Sequence, residues 1–383
     1  MRELSLYVHI PFCMQKCRYC DFLSYKASEQ DKKEYVELLL KEIEQQAPFY
    51  AEHQVISVFF GGGTPSVLDE KVIEKILCKL KKSFSFVANP EITIEVNPGT
   101  VTEEKLQIYF AAGINRLSIG LQSANDEELR CLGRIHDYQT FLETYELARK
   151  SGFRNINIDL MSAIPGQSEQ SYRETLSKVL ALQPEHISAY SLILEEGTWF
   201  FDHQKELDFP TEDEDRILYE LTGQMLSDKG YHRYEISNYA REGYECLHNK
   251  VYWKRGDYLG LGLGAASMVE EVRFSNKDTM EEYREMIDNC AGKQNSRTCF
   301  RENIEYLTRE EQMEEFMFLG LRLTQGVSRQ EFEHKFGVNI EEIYGEVLTK
   351  LQQEGLLLTD EYIRLTPYGM DISNYVMSQF LLN

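Results

Sequence analysis

The chain has 383 residues, 27% of them charged and 42% hydrophobic, with 41 Lys+Arg against 63 Asp+Glu. That length predicts two or three domains at about 100–200 residues each, and the balance is that of a folded globular chain, excluding disordered and fibrous classes. A formal net charge of −22 opposes general binding to a phosphate backbone or an anionic membrane.

The predicted elements begin with a strand over 4–10 (LSLYVHI), a loop holding Cys13, Cys17 and Cys20, and a helix over 31–46. A strand over 55–60 runs into Gly61-Gly62-Gly63-Thr64-Pro65, followed by a helix over 69–83. A strand over 91–97 precedes a helix over 102–112, and a strand over 114–120 precedes helices across 125–151. A strand over 155–161 ends near Pro165-Gly166, before a helix over 168–182. A sixth strand covers 186–193. Strands alternating with helices imply a parallel sheet with right-handed crossovers. Six units are too few for an eight-stranded barrel, so an α/β partial (β/α)6 barrel over 1–200 is expected. In such sheets the site lies at the carboxyl ends of the strands. The cysteines, the glycines, Glu95, Asn97, Gln122 and Asp159 all fall on that rim.

Residues 201–300 read as a connecting region, with a helix over 211–229, a glycine- and aromatic-rich segment over 243–268 and a polar linker around 288–303. Residues 301–383 read as helices over 308–321, 328–336 and 340–354 and a hairpin over 356–366, a mostly helical, winged-helix-like domain. That tail holds 7 Lys+Arg against 15 Asp+Glu, so it lacks the basic stripe of a recognition helix, and a docking module or lid is expected instead.

The eight cysteines divide unevenly. Residues 1–12 lack a signal-peptide pattern and no apolar run approaches the ~20 residues of a membrane span, so a cytoplasmic chain with reduced thiols is expected. Cys78 and Cys131 sit in helical patterns and read as small buried hydrophobes. Cys13-x3-Cys17-x2-Cys20 places three thiols in one loop, which can hold three corners of a [4Fe–4S] cluster and leave the fourth iron open. Zinc is the alternative, but it wants a fourth ligand, and His9 has the wrong spacing.

CxxxCxxC in this setting resembles the radical S-adenosylmethionine (SAM) superfamily. LYVHIPFC (6–13), FFGGGTPS (59–66), IEVNPGT (94–100), RLSIGLQS (116–123) and NIDLMSAIPGQ (157–167) are similar to the anaerobic coproporphyrinogen oxidase family. The resemblance implies a [4Fe–4S] cluster on Cys13, Cys17 and Cys20, with S-adenosyl-L-methionine on the open iron. It also implies a cofactor site drawn from Tyr7, Tyr19, Gly62, Gly63, Thr64, Glu95, Gln122, Arg134 and Asp159. The glycine amides would donate to a carboxylate or ribose at close range. Residue by residue there are plainer readings: Tyr7 as a core aromatic, Arg134 as a surface charge, Gln122 as a helix cap.

Two features depart from the oxidases. Those enzymes typically carry another cysteine two positions after the third, where this chain has Phe22, and this chain adds an HNxxYW motif at His248-Asn249-Lys250-Val251-Tyr252-Trp253. That pattern is similar to the HemW branch, regarded as haem chaperones. It implies haem as a further cofactor, haem-acceptor proteins as partners and peripheral contact with membrane haemoproteins, while the net charge already argues against nucleic acid as a partner. Oxygen-independent coproporphyrinogen III oxidation is the alternative activity. His248 can ligate haem iron and Tyr252 and Trp253 can bound a porphyrin, with Cys246 a second contact. Equally, the segment could pack the second region onto the barrel.

Overall fold

The computed structural model describes residues 1–290 and 297–382. Six β/α units open the chain. They are β1 (Arg2–Ile10), α1 (Glu29–Gln46), β2 (His53–Gly62), α2 (Glu70–Ser83), β3 (Phe86–Val96), α3 (Glu103–Ala112), β4 (Arg116–Gln122), α4 (Asp126–Cys131), α5 (Tyr138–Lys150), β5 (Ile156–Ser162), α6 (Glu169–Ala181) and β6 (His186–Ser191). Adjacent strands from β1 to β6 pair in parallel in sequence order. The helices start on polar caps, among them Ser28, Asp69, Thr102, Asn125, Asp137 and Ser168, each accepting from a first-turn N–H.

Strand alternation decides what each side of this sheet does. Leu4, Leu6, Val8 and Ile10 of β1, Ile92, Ile94 and Val96 of β3 and Ile156, Ile158 and Leu160 of β5 are fully buried against the helices. The intervening positions, such as Ser5, Ser57, Glu91, Thr93, Arg116, Ser118, Asn157, Asp159 and His186, share the other face. That inner face is largely polar, with Phe59 and Met161 among its apolar members, unlike the branched apolar layers of a closed eight-stranded barrel.

The next segment does not stand apart as a connecting region. After α7 (Trp199–His203) and α8 (Glu212–Ser227), β7 (His232–Arg233) and β8 (Asn238–Ala240) extend the β6 edge. Then α9 (Leu247–Trp253) leads to β9 (Tyr258–Leu261), which pairs in parallel with β1. β10 (Ala266–Val269), β11 (Val272–Ser275) and, after α10 (Met280–Cys290), β12 (Glu302–Tyr306) continue outward. One 12-stranded mixed sheet results, open rather than closed. The expected linker around 288–303 falls partly outside the described residues. Strands of two to five residues carry too little periodicity to be read in advance.

The tail has its own core, built on Met317, Phe332, Tyr344, Leu351 and Phe380, with a three-stranded wing. It docks through the buried Arg255, which reaches Glu315 at 2.8 Å and Glu271 at 2.6 Å, and through Arg322 lying 4.2 Å over the Trp253 ring.

The cysteines outside the loop differ from expectation. Cys78 is exposed, Cys131 is half-buried with its thiol toward the Pro165 carbonyl, and Cys290 and Cys299 form a disulfide, so not every other thiol stands alone.

Beneath the rim, Glu91 accepts from the Leu247 and His248 amides, both at 3.0 Å, and from the Cys246 thiol at 3.6 Å. Its neighbour Arg116 is only 2% exposed and also faces Cys246, Tyr234 and Asp159. Glu91 is half-buried, and removing it leaves the two α9 amides without their acceptor and the buried Arg116 without a nearby carboxylate. Glu91→Ala is therefore expected to lower unfolding free energy by about 3 kcal/mol, measured by urea denaturation; a loss below ~1 kcal/mol would mean the contact is no more than a surface pair.

Candidate functional site at the sheet rim

The cysteine loop leaves β1 between two clamps. At its base Cys13 N–H donates to the Tyr25 carbonyl (3.0 Å) and Tyr25 N–H to Pro11 (2.8 Å), with Phe12 packed edge-on against Tyr25 and Tyr35. At its far side Arg18 N–H donates to the Leu132 carbonyl (3.0 Å), Gln15 to Gly133 (3.0 Å), and the Arg18 guanidinium lies over Trp199. Cys13, Cys17 and Cys20 are all half-buried and free of disulfides.

The glycine segment ends β2 directly beneath. Gly62 has φ +111°, and a Cβ there would stand 2.4 Å from the His9 ring; one on Gly63 would stand 2.8 Å from the Phe12 carbonyl. The need is for close approach to β1 and the loop. The expected donation of these amides to a ligand is corrected here, because they are already used. Gly62 N–H goes to Glu95 (3.2 Å), Gly63 N–H to the Ile10 carbonyl and Thr64 N–H to the Phe12 carbonyl, both 2.8 Å.

Polar side chains converge around them. The Thr64 hydroxyl lies 3.5 Å from Cys13 Sγ, and Asn97 Nδ2 donates to that hydroxyl at 2.8 Å. Arg134 is no surface charge: it donates to Asn97 Oδ1 (2.8 Å), to the Gly120 carbonyl (2.7 Å) and toward Cys17 Sγ (3.6 Å), and its charge lies near Tyr19. Cys17, Thr64, Asn97, Arg134 and His136 line a small, partly open pocket with Met14 and Ile135. Burial and the Arg134 charge hold His136 down at about 3, so it stays neutral beside the Leu121 carbonyl.

Deeper on the inner face, the half-buried Tyr7 ring stacks on Phe59, with centroids 6.4 Å apart, and its hydroxyl is 3.1 Å from His9 Nδ1. Asp159 accepts from Asn157 (2.7 Å) and Ser118 (3.1 Å). Gln122 caps no helix, that role belonging to Asn125; it sits at φ +73° where the β4–β5 register shifts, a kink that re-aims its side chain at the rim.

His248 departs furthest from the sequence reading. It is 1% exposed, its Nδ1 is 2.9 Å from Ser57 Oγ, and its Nε2 is 2.8 Å from the Tyr252 hydroxyl. Burial, then the Arg116 charge, hold it neutral at about 3. Both ring nitrogens are engaged, so in this conformation the residue packs α9 into the sheet and offers no free ligand. Cys246 is likewise fully buried, with its thiol pushed up to about 12 by burial. His9, Glu91 and Arg116 are site residues that the sequence reading did not single out, and Asn97, which it did place on the rim, gains its partners only from the fold. Two-residue steps along the strands (Tyr7 to His9; Glu91, Thr93, Glu95, Asn97) were the signal that could have found them.

Three free thiols on the first loop of an open β/α sheet, with acids and an arginine around one rim, define the radical SAM class. Residues 7–179 match the Radical SAM superfamily and residues 307–372 the HemN C-terminal domain. The chain is 35% identical over 382 residues to "Heme chaperone HemW" of Lactococcus lactis, covering 99% of this chain and 97% of that protein. It is 32% identical over 395 residues to "Radical S-adenosyl methionine domain-containing protein 1, mitochondrial" of Danio rerio, covering 99% and 87%. Among solved structures it is similar to the coproporphyrinogen III oxidase HemN of Escherichia coli, with a TM-score of 0.86, 27% identity and coverage of 99% and 90%. The chain belongs to the HemW family of the radical SAM superfamily.

That superfamily implies a [4Fe–4S] cluster and S-adenosylmethionine, and the residues fit them. Cys13, Cys17 and Cys20 are half-buried free thiols on one loop, the donor set that a cluster in which each iron takes its own thiolate requires.

Burial, then the charge of Asp159, push Glu95 up to about 8 from its ordinary 4.5. The folded protein thus keeps a proton that the unfolded chain has released, and stability is lost progressively as pH rises from 4.5 to 8, with no further loss above. Glu95→Gln is expected to melt at a higher temperature than the parent chain, with a gap that widens from about pH 5 to pH 8 and then stays constant. A pH-independent gap in melting scans would contradict this environment for Glu95.

Proposed function

We propose that this protein binds haem and passes it to acceptor haemoproteins, using a radical SAM rim whose cluster ligands are Cys13, Cys17 and Cys20. A reduced cluster of this kind, when bound, supplies the electron that cleaves S-adenosylmethionine to a 5′-deoxyadenosyl radical. Around it Arg134 and Thr64 direct donors at the thiols, Tyr19 buttresses Arg134, and Glu95, Asp159, Gln122 and Tyr7 present polar groups to the cofactor. The contribution of Gly62 and Gly63 is close approach, since their amides are committed elsewhere. Haem-acceptor partners and a cytoplasmic location belong to this reading; the structure's own statement is that no described helix is long and apolar enough to cross a membrane.

The observation that carries the proposal is the full-length similarity to proteins named haem chaperones. Two features of the chain agree with it. Phe22, standing where the oxidases have a further cysteine, is 62% exposed beside the loop. The HNxxYW segment enters the inner face through His248 and Tyr252, occupying space beneath the rim. For His248 to ligate haem iron, the Tyr252 hydroxyl has to leave its Nε2.

The test is one anaerobically reconstituted sample, divided between haem titration and coproporphyrinogen turnover with S-adenosylmethionine. Saturable haem binding without turnover is expected; enzyme-like turnover without stable haem would install the oxidase activity instead. Tyr252→Phe removes one hydrogen bond from His248, worth about 1 kcal/mol, and should tighten haem about five-fold. Unchanged affinity would take His248 out of the haem site.

A further inference from the structure

Asn97 belongs to no assigned role, yet it joins two of the three cysteines. Arg134 has only donors, so the Asn97 atom facing it at 2.8 Å is the amide oxygen. The amide nitrogen therefore faces Thr64 and donates to its hydroxyl at 2.8 Å. With its oxygen accepting from Asn97, the Thr64 hydroxyl turns its own proton toward Cys13 Sγ, 3.5 Å away. On the other arm the same Arg134 directs a second guanidinium nitrogen at Cys17 Sγ, 3.6 Å away. The Asn97 backbone is itself fixed: its N–H donates to Ser66 Oγ (3.2 Å), and its carbonyl accepts from the Thr100 hydroxyl (2.6 Å) and the Thr100 N–H (3.1 Å). One side chain at the end of β3 thus sets the polarity of a chain of hydrogen bonds that ends on sulfur at both sides.

We infer that Asn97 is a positioning residue that aims the Thr64 hydroxyl at the Cys13 sulfur and the Arg134 guanidinium at the Cys17 sulfur. Donors to cluster sulfurs raise the reduction potential, and outer partners of metal ligands hold the metal in place. The inference rests on the reading of Cys13 and Cys17 as cluster ligands. An aspartate at 97 would not serve, because it has no donor for Thr64 and would draw the hydroxyl proton away from sulfur.

The test uses the full chain, reconstituted anaerobically, with iron and sulfide content, midpoint potential by EPR-monitored titration, and iron loss to a chelator as readouts. Asn97→Leu is expected to lower the potential and speed iron loss by about 10–100-fold. Thr64→Val, near-isosteric, should produce a smaller shift of the same sign, and Thr64→Ser should restore the parent potential. Because the Thr64 arm acts through Asn97, adding Thr64→Val to Asn97→Leu should shift the potential no further, a non-additivity that general loosening of the fold would not produce. A parent-like potential and iron retention in Asn97→Leu would overturn the inference, as would fully additive shifts. Should Asn97→Leu fail to assemble a cluster, an unshifted potential in Thr64→Val overturns it. Failure of the parent chain to take up iron and sulfide would instead overturn the cluster reading beneath it.

Discussion

The strict alternation of the parallel strands is the constraint on which the rest of this structure depends. One face of the sheet is committed to aliphatic side chains packed under helices, which leaves the other face to whatever the chain needs to hold away from bulk water. Here that face carries Glu91, Arg116, Asn157 and His186 low down and Glu95, Asp159 and Asn97 toward the rim. Buried charges and amides are tolerable only when their hydrogen-bonding capacity is met. His186, for example, is held between Asn157 (2.6 Å) and the Tyr234 hydroxyl (2.8 Å). The polar interior and the cofactor rim are thus one continuous layer.

That continuity explains why α9 and its HNxxYW motif sit where they do. Glu91 receives the amides that open the short helix, Ser57 and Tyr252 hold the two nitrogens of His248, and Trp253 turns outward under Arg322 of the tail. A single segment therefore ties the inner face of the sheet to the C-terminal domain. Any displacement of Tyr252 that freed His248 would be felt at both contacts.

Much of this was legible in the amino-acid sequence, for reasons visible in particular residues. The six units could be read because runs such as LSLYVHI and EITIEVN keep a period of two and their helices start on Ser, Thr, Asp or Asn caps. The loop could be read because three thiols within eight residues have few chemical uses. The sheet edges could not, since β7 to β12 are short and are joined to the six-unit sheet only through partners distant in sequence, β8 on β6 and β9 on β1. Nor could the state of His248, because only the fold brings Ser57, 191 positions away in the chain, to its ring. Glycines announced a special backbone, but whether their amides faced a ligand or the neighbouring strand depended on where Ile10 and Phe12 lay.

The central claim is that the rim holds a cluster with one iron left open for S-adenosylmethionine. It is tested most directly by EPR of the reduced, reconstituted protein before and after adding S-adenosylmethionine labelled with ¹⁵N in its methionyl amine. The account predicts a changed cluster signal and a measurable coupling from the label to the cluster spin. An unchanged spectrum without coupling, in a sample with full iron and sulfide, would contradict it.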